Sequence, residues 1–279
     1  MGRKLLRGKL ALITGGSGGI GRGVASHFVA NGAQVCILGR DPERLSSALK
    51  ELNVNHENRV IGIRCDVGDR MAVTRVVKLA VKKLGGLDIL VNCAGIQEPI
   101  GEFIDNDLDA WEHNLRVNLL GAVYCCKAVI PIFLDHGGGT IINFSGGGAT
   151  ASRANFSAYA TSKAAIVRFT EVLAEELLGK RIRVNAIAPG AINTAMLSEI
   201  LAAGPRAGQK ELKEARKRAE EGGASVDLAA ELVVFLASRR SDGLNGKLIS
   251  APWDPWQSWD KAAIRQIMSG SKYSLRRIS

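Results

Sequence analysis

Leu10-Ala11-Leu12-Ile13-Thr14-Gly15-Gly16-Ser17-Gly18-Gly19-Ile20-Gly21 decides the fold of this chain. A short apolar run opens directly into glycines, and the residues from Ile20 to Ala30 carry a helical pattern. Strand, tight turn and helix start therefore follow one another. The first backbone N–H groups of a helix have no intrahelical acceptor, and the helix dipole adds positive potential there. Glycine lets a pyrophosphate come close to such a backbone without meeting a side chain. The spacing is Gly15-x-x-x-Gly19-x-Gly21 rather than Gly-x-Gly-x-x-Gly, so a βα turn that binds nothing is the alternative.

The next apolar run, Gln34–Leu38, ends in Gly39-Arg40-Asp41. In dinucleotide folds this strand end lies beside the adenosine ribose, where an acid bonds the 2′-hydroxyl and an arginine accommodates a 2′-phosphate. Gly39 stands where the acid is usually found, and Arg40 follows it. A guanidinium fork suits phosphate, so NADP(H) is favoured over NAD(H). The alternative is an Arg40 that simply faces solvent.

Outward from here, apolar runs alternate with helical stretches. Helices are expected over Pro42–Leu52, Ala72–Leu84, Trp111–Phe133 and Tyr159–Leu178. Strands are expected at Val60–Cys65, Leu87–Asn92, Thr140–Phe144, Arg183–Ile187 and Gly246–Ser250. Continuously apolar strands between helices imply an α/β protein whose parallel sheet is covered on both faces. Neither an internal repeat nor a long linker interrupts the pattern, so residues 1–279 are expected to form one domain.

Hydrophobic residues make up 46% of the 279, enough for a substantial core. The formal charge of +10 raises nucleic acid, a membrane surface or an anionic small ligand as partners, and it slightly favours an anionic substrate. No Lys/Arg run of nucleic-acid length stands alone. The basic residues from Lys210 to Arg218 alternate with Glu211, Glu214, Glu220 and Glu221, the pattern of a solvated helix face. A further basic excess lies at Lys261, Arg265, Lys272, Arg276 and Arg277. Cys36, Cys65, Cys93, Cys125 and Cys126 are odd in number and lack a C-x-x-C spacing. They are expected to be buried free thiols in a reducing, cytoplasmic setting. The four histidines show no ligand spacing with them, so no metal is expected. The basic start, Met1 to Lys9, leads into too short an apolar run for a signal or a membrane span. Gly2 has Leu6 where myristoylation needs Ser or Thr.

Taken in order, Thr14–Gly21, Asp66-Val67, Asn92-Cys93-Ala94-Gly95, Asn118, Tyr159-x-x-x-Lys163 and Pro189-Gly190 with Thr194 resemble the short-chain dehydrogenase/reductase family. The likeness covers roughly residues 8–250. It implies a Rossmann-type, doubly wound three-layer sandwich with about seven parallel strands, usually assembled as homodimers or homotetramers. It also implies a small-molecule carbonyl or alcohol substrate and a nicotinamide cofactor. By the resemblance, Gly15, Ser17, Gly18, Gly19, Ile20 and Gly21 would hold the phosphates. Asp66 and Val67 would meet the adenine, and Asn92, Ala94 and Gly95 would line the adenosine side. Pro189, Gly190, Ile192 and Thr194 would contact the nicotinamide end. Lys163 would hold the nicotinamide ribose, and Asn118 would keep a water in a proton relay. Asn92 has an equally good structural reading, as a tie between neighbouring strands.

The residue types give the chemistry. Tyr159 and Lys163 are four apart on a helix and share a face. A nearby ammonium favours phenolate and lowers the phenol pKa. Tyr159 then gives a proton to a reduced carbonyl oxygen or takes one from an alcohol.

Two stretches depart from the family pattern. Its members often carry a catalytic serine thirteen residues before the tyrosine, which here is Gly146, while Ser145 lies fourteen before it. Ser145 could reach in through the glycine-rich turn, a backbone N–H could supply the donor, or the step could be weakened. The displaced serine also leaves open a dinucleotide-binding sensor or scaffold without turnover. The polar segment 197–223 sits where a substrate lid would sit. The extension 251–279 carries Trp253, Trp256 and Trp259, a cluster that suits packing against a neighbouring element or subunit.

Overall fold

A computed structural model of the chain describes residues 4–54 and 59–276; Gly2 and Arg277, singled out above, lie outside the described residues. Seven strands form one sheet in the order β3-β2-β1-β4-β5-β6-β7. They are β1 (Leu10–Thr14), β2 (Gln34–Gly39), β3 (Val60–Arg64), β4 (Ile89–Asn92), β5 (Gly139–Phe144), β6 (Ile182–Ala188) and β7 (Leu248–Ser250). Every neighbouring pair is parallel. The central strands are apolar residue after residue because neither face meets water. Ala11, Leu12, Ile13, Val35, Cys36, Ile37 and Leu38 are all fully buried.

Helices α1 (Gly19–Ala30), α2 (Pro42–Asn53), α9 (Val226–Ala237) and α10 (Lys261–Met268) build one covering layer. On the other face lie α3 (Arg70–Leu84), α5 (Gly121–Asp135) and α6 (Ser157–Glu176). The expected three-layer, doubly wound α/β architecture is what forms. Local chemistry sets several helix starts. The side chains of Asp41, Asp69, Ser225 and Asp260 each accept a backbone N–H of the first turn. Gly85, at φ 81°, ends α3 in the left-handed conformation.

The expected helix over Trp111–Phe133 is interrupted. A first segment, α4 (Leu108–Leu115), passes through a π turn at Arg116–Leu120 before α5 begins. There Gly121 N–H reaches back five residues to Arg116 O. The stretch Leu108–Asp135 is long and apolar enough to cross a bilayer by length and composition. In the fold it serves as a core helix: Cys125, Cys126, Val129 and Phe133 are buried against the sheet and α3.

The segment 197–223 falls into α7 (Ala195–Ala203), a 3-10 turn at Gly204–Ala207 and α8 (Gln209–Glu221). The extension folds back on its own chain. Trp256 and Trp259 pack on Phe235 of α9 with ring centroids 5.8 and 6.4 Å away. Trp253 does not join them and is 85% exposed. Tyr273 stacks on Trp259, and its carbonyl accepts the β7 N–H of Leu248 at 2.8 Å.

Chain order reverses between β1 and β4: β2 lies to one side of β1, and β5 lies beyond β4. Crevices at the carboxyl ends of strands on either side of such a reversal receive ligands.

Candidate active site

The glycine turn is held by its own shape. Gly16 N–H donates to Leu38 O at 3.1 Å. Gly15 adopts φ +68°, and a Cβ on it would stand 2.9 Å from Ala94 Cα. A Cβ on Gly21 would stand 2.3 Å from Gly15 O. These contacts require glycine, because the turn, the helix start and the end of β4 crowd together. Thr14 Oγ1 binds them further by accepting Cys93 N–H and Ala94 N–H, each at 3.1 Å. The result is a cleft of about 360 Å³. Gly15, Ser17, Gly18, Gly19, Ile20 and Gly21 form its floor.

At the far end of the cleft stand Gly39, Arg40, Asp66 and Val67. A Cβ at position 39 would lie 2.6 Å from Ser17 Oγ, so no acidic side chain fits there without displacing Ser17. Arg40 is exposed and lines the cleft. Arg44, which the sequence did not single out, joins it. One of its terminal nitrogens lies 3.0 Å from where a Gly18 Cβ would be. The Asp41 side chain accepts Arg44 N–H at 3.0 Å and so sets the first turn that presents it. Asp66 Oδ1 accepts Gly68 N–H at 2.8 Å.

Asn92 takes the structural one of its two expected roles. Its Nδ2 donates to Asn143 Oδ1 at 2.9 Å, tying β4 to β5, and it is buried away from the cleft wall. Ala94 and Gly95, just beyond it, do line the cleft.

The other end gathers Tyr159, Lys163 and Asn118. Tyr159 is 7% exposed and Lys163 4%. Lys163 Nζ donates to Phe144 O at 3.0 Å and lies 5.4 Å from the Tyr159 ring centre. Gly95 permits the convergence: a Cβ there would lie 3.2 Å from Asn118 Oδ1 and 3.4 Å from Lys163 Nζ. Asn118, inside the π turn, accepts Ile96 N–H at 2.8 Å. Its amide donates to Ile96 O at 2.9 Å and to Ser162 Oγ at 3.0 Å.

Burial dominates the electrostatics. It pushes the Tyr159 phenol up to about 12, against the pull of Arg153, and it pulls the Lys163 ammonium down to about 8. The expected acidification of the phenol by Lys163 is absent in this state. For each group the cost of removing its charge from water is the largest influence.

Ser145 lines the cleft beside Tyr159 and Lys163 but not the second cavity that adjoins it. Its hydroxyl donates to Lys163 O at 3.0 Å, and the residue is 3% exposed. Gly146 instead lies against the tyrosine, since a Cβ on it would stand 2.6 Å from Tyr159 Oη.

A second cavity, of about 660 Å³, opens beside the first. Tyr159, Pro189 and Thr194 line both, so the phenol stands at their junction. Gly190 and Ile192 face only the second cavity. Its walls include Gly146–Gly148, Arg153, Glu211 and Arg218, together with Trp253, Asp254, Tyr273 and Ser274 of the extension. Glu211 does not share the solvated helix face expected for Lys210 to Arg218. It accepts two bonds from Arg153, both at 2.8 Å. Burial opposes its charge, but Arg153 holds the carboxyl below its ordinary value. Glu199 of α7 also lines the cleft, with Oε2 buried and without a hydrogen-bond partner among the described residues. Neither Arg153 nor Glu199 carried a local signal in the sequence, because only the tertiary fold brings them here.

The family model described as short chain dehydrogenase matches residues 9–204. The chain is 31% identical over 235 residues to 2-dehydro-3-deoxy-L-rhamnonate dehydrogenase (NAD(+)) of Sphingomonas sp., covering 83% of this chain and 88% of that one. It is 33% identical over 243 residues to D-threitol dehydrogenase of Mycolicibacterium smegmatis, covering 86% and 90% respectively. A solved short-chain type dehydrogenase/reductase from Mycobacterium ulcerans superposes with a TM-score of 0.78 at 30% identity, covering 88% of each chain. With that matched span enclosing the glycine turn, the Tyr159–Lys163 helix and the Pro189–Thr194 wall, the chain belongs to the short-chain dehydrogenase family of oxidoreductases.

Proposed function

We propose that this protein is an NADP(H)-dependent oxidoreductase that moves hydride between the nicotinamide and a small carbonyl/secondary alcohol pair, with Tyr159 as the proton donor and acceptor. The observation that carries the proposal is the position of Tyr159 at the junction of the two cavities, with Lys163 beside it. One cavity is floored by glycine backbone at a helix start, a cradle that any side chain at Gly15 or Gly21 would fill. That fits a dinucleotide, which when bound supplies or accepts the hydride. Arg40, Arg44 and the missing acid at Gly39 favour a 2′-phosphate on it.

This chain's residues handle the proton. A phenol pushed up to about 12 stays protonated at neutral pH. It therefore carries a proton that an oxygen gaining charge can take. Lys163, pulled down to about 8, is close enough to neutral pH to exchange protons with the phenolate that remains. The mixed walls of the second cavity, and relatives named for a sugar acid and a polyol, support a small polar substrate. A homo-oligomeric assembly is part of the proposal. Leu108, Leu120 and Leu134 are exposed on the helical stretch Leu108–Asp135, which suits a helix partly covered by a second copy.

The test is to follow loss of NADPH absorbance with a panel of carbonyl compounds. Tyr159→Phe should lower kcat by about 10²–10⁴-fold while NADPH still binds. Full activity in that variant would remove Tyr159 as proton donor.

A further inference from the structure

A carbonyl oxygen that gains negative charge needs hydrogen-bond donors besides the one that finally protonates it. Ser145 is not on the wall of the second cavity, and its hydroxyl donates to Lys163 O at 3.0 Å. Position 146 has no side chain, and the tyrosine hydroxyl occupies the place its Cβ would take, 2.6 Å away. Backbone remains. Ala149 N–H donates to Gly146 O at 3.3 Å and closes a four-residue turn. Gly148, at φ +91°, takes the left-handed third position that a type II turn demands. Between those ends, Gly147 N–H and Gly148 N–H donate to no acceptor among the described residues. A Cβ on Gly147 would meet nothing within 4 Å. The turn and Tyr159 line the same cavity.

We propose that the peptide N–H groups of Gly147 and Gly148 receive the substrate oxygen beside the Tyr159 hydroxyl, in place of a side-chain hydroxyl. The inference rests on Tyr159 being the proton donor. No bond is made or broken at the turn: the two N–H groups keep their hydrogens and hold the oxygen's lone pairs while the phenol's proton moves to it. Such donors are fixed by the backbone and lose no rotamer freedom when they act, the condition under which a charge-stabilising site works best. The glycines have a joint purpose in this arrangement. Gly146 makes room for the phenol, Gly148 supplies the turn geometry, and Gly147 leaves the approach open.

The experiment compares Gly147→Pro, which deletes one N–H, with Gly147→Ala, which keeps it. The probe is whichever of diacetyl, glyceraldehyde and acetoacetate the wild-type enzyme reduces fastest with NADPH. We expect kcat of the proline variant to fall about 10²-fold below that of the alanine variant, with equal NADPH dissociation constants. A readout independent of turnover uses NADP-loaded enzyme and dimethyl sulfoxide, an oxygen acceptor that takes no hydride. The Gly147 and Gly148 amide proton resonances should move downfield on its addition. That measurement decides the matter if the proline variant does not fold.

Gly146→Ser should lower kcat by pushing Tyr159 aside; a rise would mean that a hydroxyl is wanted there and would overturn the proposal. Equal kcat in the two Gly147 variants, or unmoved amide resonances, would do the same. So would a 10²-fold loss in Thr150→Ala or Ser152→Ala, hydroxyls on the same cavity wall, because it would transfer the role to a side chain. Full activity in Tyr159→Phe is a different failure: it removes the proton donor whatever the turn does.

Discussion

A methyl group at position 39 would collide with the Ser17 hydroxyl, 2.6 Å away. That contact adds to the case for the proposed NADP(H) preference. An acid at the end of β2 would have to displace Ser17 from the glycine turn, and the glycine leaves the space to Arg40 and Arg44. Hydrogen bonds to charged groups contribute about 1.5–3 kcal/mol each, so Arg40→Ala should weaken NADPH binding about 10–100-fold and NADH binding little. Fluorescence titration of both cofactors checks this, and equal losses would contradict the phosphate role. Asn118 is a second residue whose effect follows from its bonds. Its Oδ1 is the acceptor for Ile96 N–H at 2.8 Å. Asn118→Ala leaves that donor unsatisfied and should lower stability by about 1–3 kcal/mol, read from urea denaturation, besides any loss of turnover.

At the scale of elements, the central strands β1, β2 and β4 were legible because burial on both faces wrote them as nearly unbroken apolar runs. β1 and β2 begin where the apolar runs begin, and the Asp41 cap marks the start of α2. Helices α9 and α10 were not anticipated. Leu232 to Ala237 are buried on every side, between the sheet and the extension, so no amphipathic stripe shows in the sequence. α10 has only eight residues. The π turn at Arg116–Leu120 was invisible because one extra residue barely disturbs a helical pattern. Within the site, Tyr159, Lys163 and the glycine turn were legible because their spacing is local. The bond from the Ser145 hydroxyl to Lys163 O was not, since the partners are 18 residues apart. Arg153 with Glu211 was not either, because the partners are 58 residues apart. Lys247 is another long-range device. Its Nζ donates to Gly270 O at 3.2 Å, Lys272 O at 3.1 Å and Ser274 Oγ at 3.3 Å. It thereby clamps the extension that brings Tyr273 and Ser274 to the second cavity. Lys247→Met should raise KM for the carbonyl substrate several-fold and speed amide exchange in residues 270–276. NADPH affinity should hold, because the clamp touches only the substrate side.

For the molecule as a whole, the thiols set the alkaline limit. Burial raises Cys36 and Cys126 to about 12 and Cys125 well above its ordinary 9. The folded protein keeps these protons at a pH where the unfolded chain releases them. Their contribution is therefore complete below pH 9 and is lost as pH rises toward 12. At pH 10 this amounts to about 1 kcal/mol per buried thiol. Lys163 and Lys247 work in the opposite sense, since their folded values are the lower ones, but Cys65 and Cys93 are raised too, so five thiols outweigh them. The urea midpoint under reducing conditions should fall between pH 7.5 and pH 10, and an unchanged midpoint would mean the thiols ionise in the folded state.

The bond from Leu248 N–H to Tyr273 O has a consequence for the order in which the protein matures. A nascent chain that has emerged as far as Ser250 already holds all seven strands, the glycine cradle and Tyr159. It still lacks Trp253, Asp254, Tyr273 and Ser274 from the wall of the second cavity. During synthesis the competence to grip a nucleotide should thus precede the competence to discriminate among substrates. Ribosome-stalled chains released at successive lengths would show the two abilities arriving at different times.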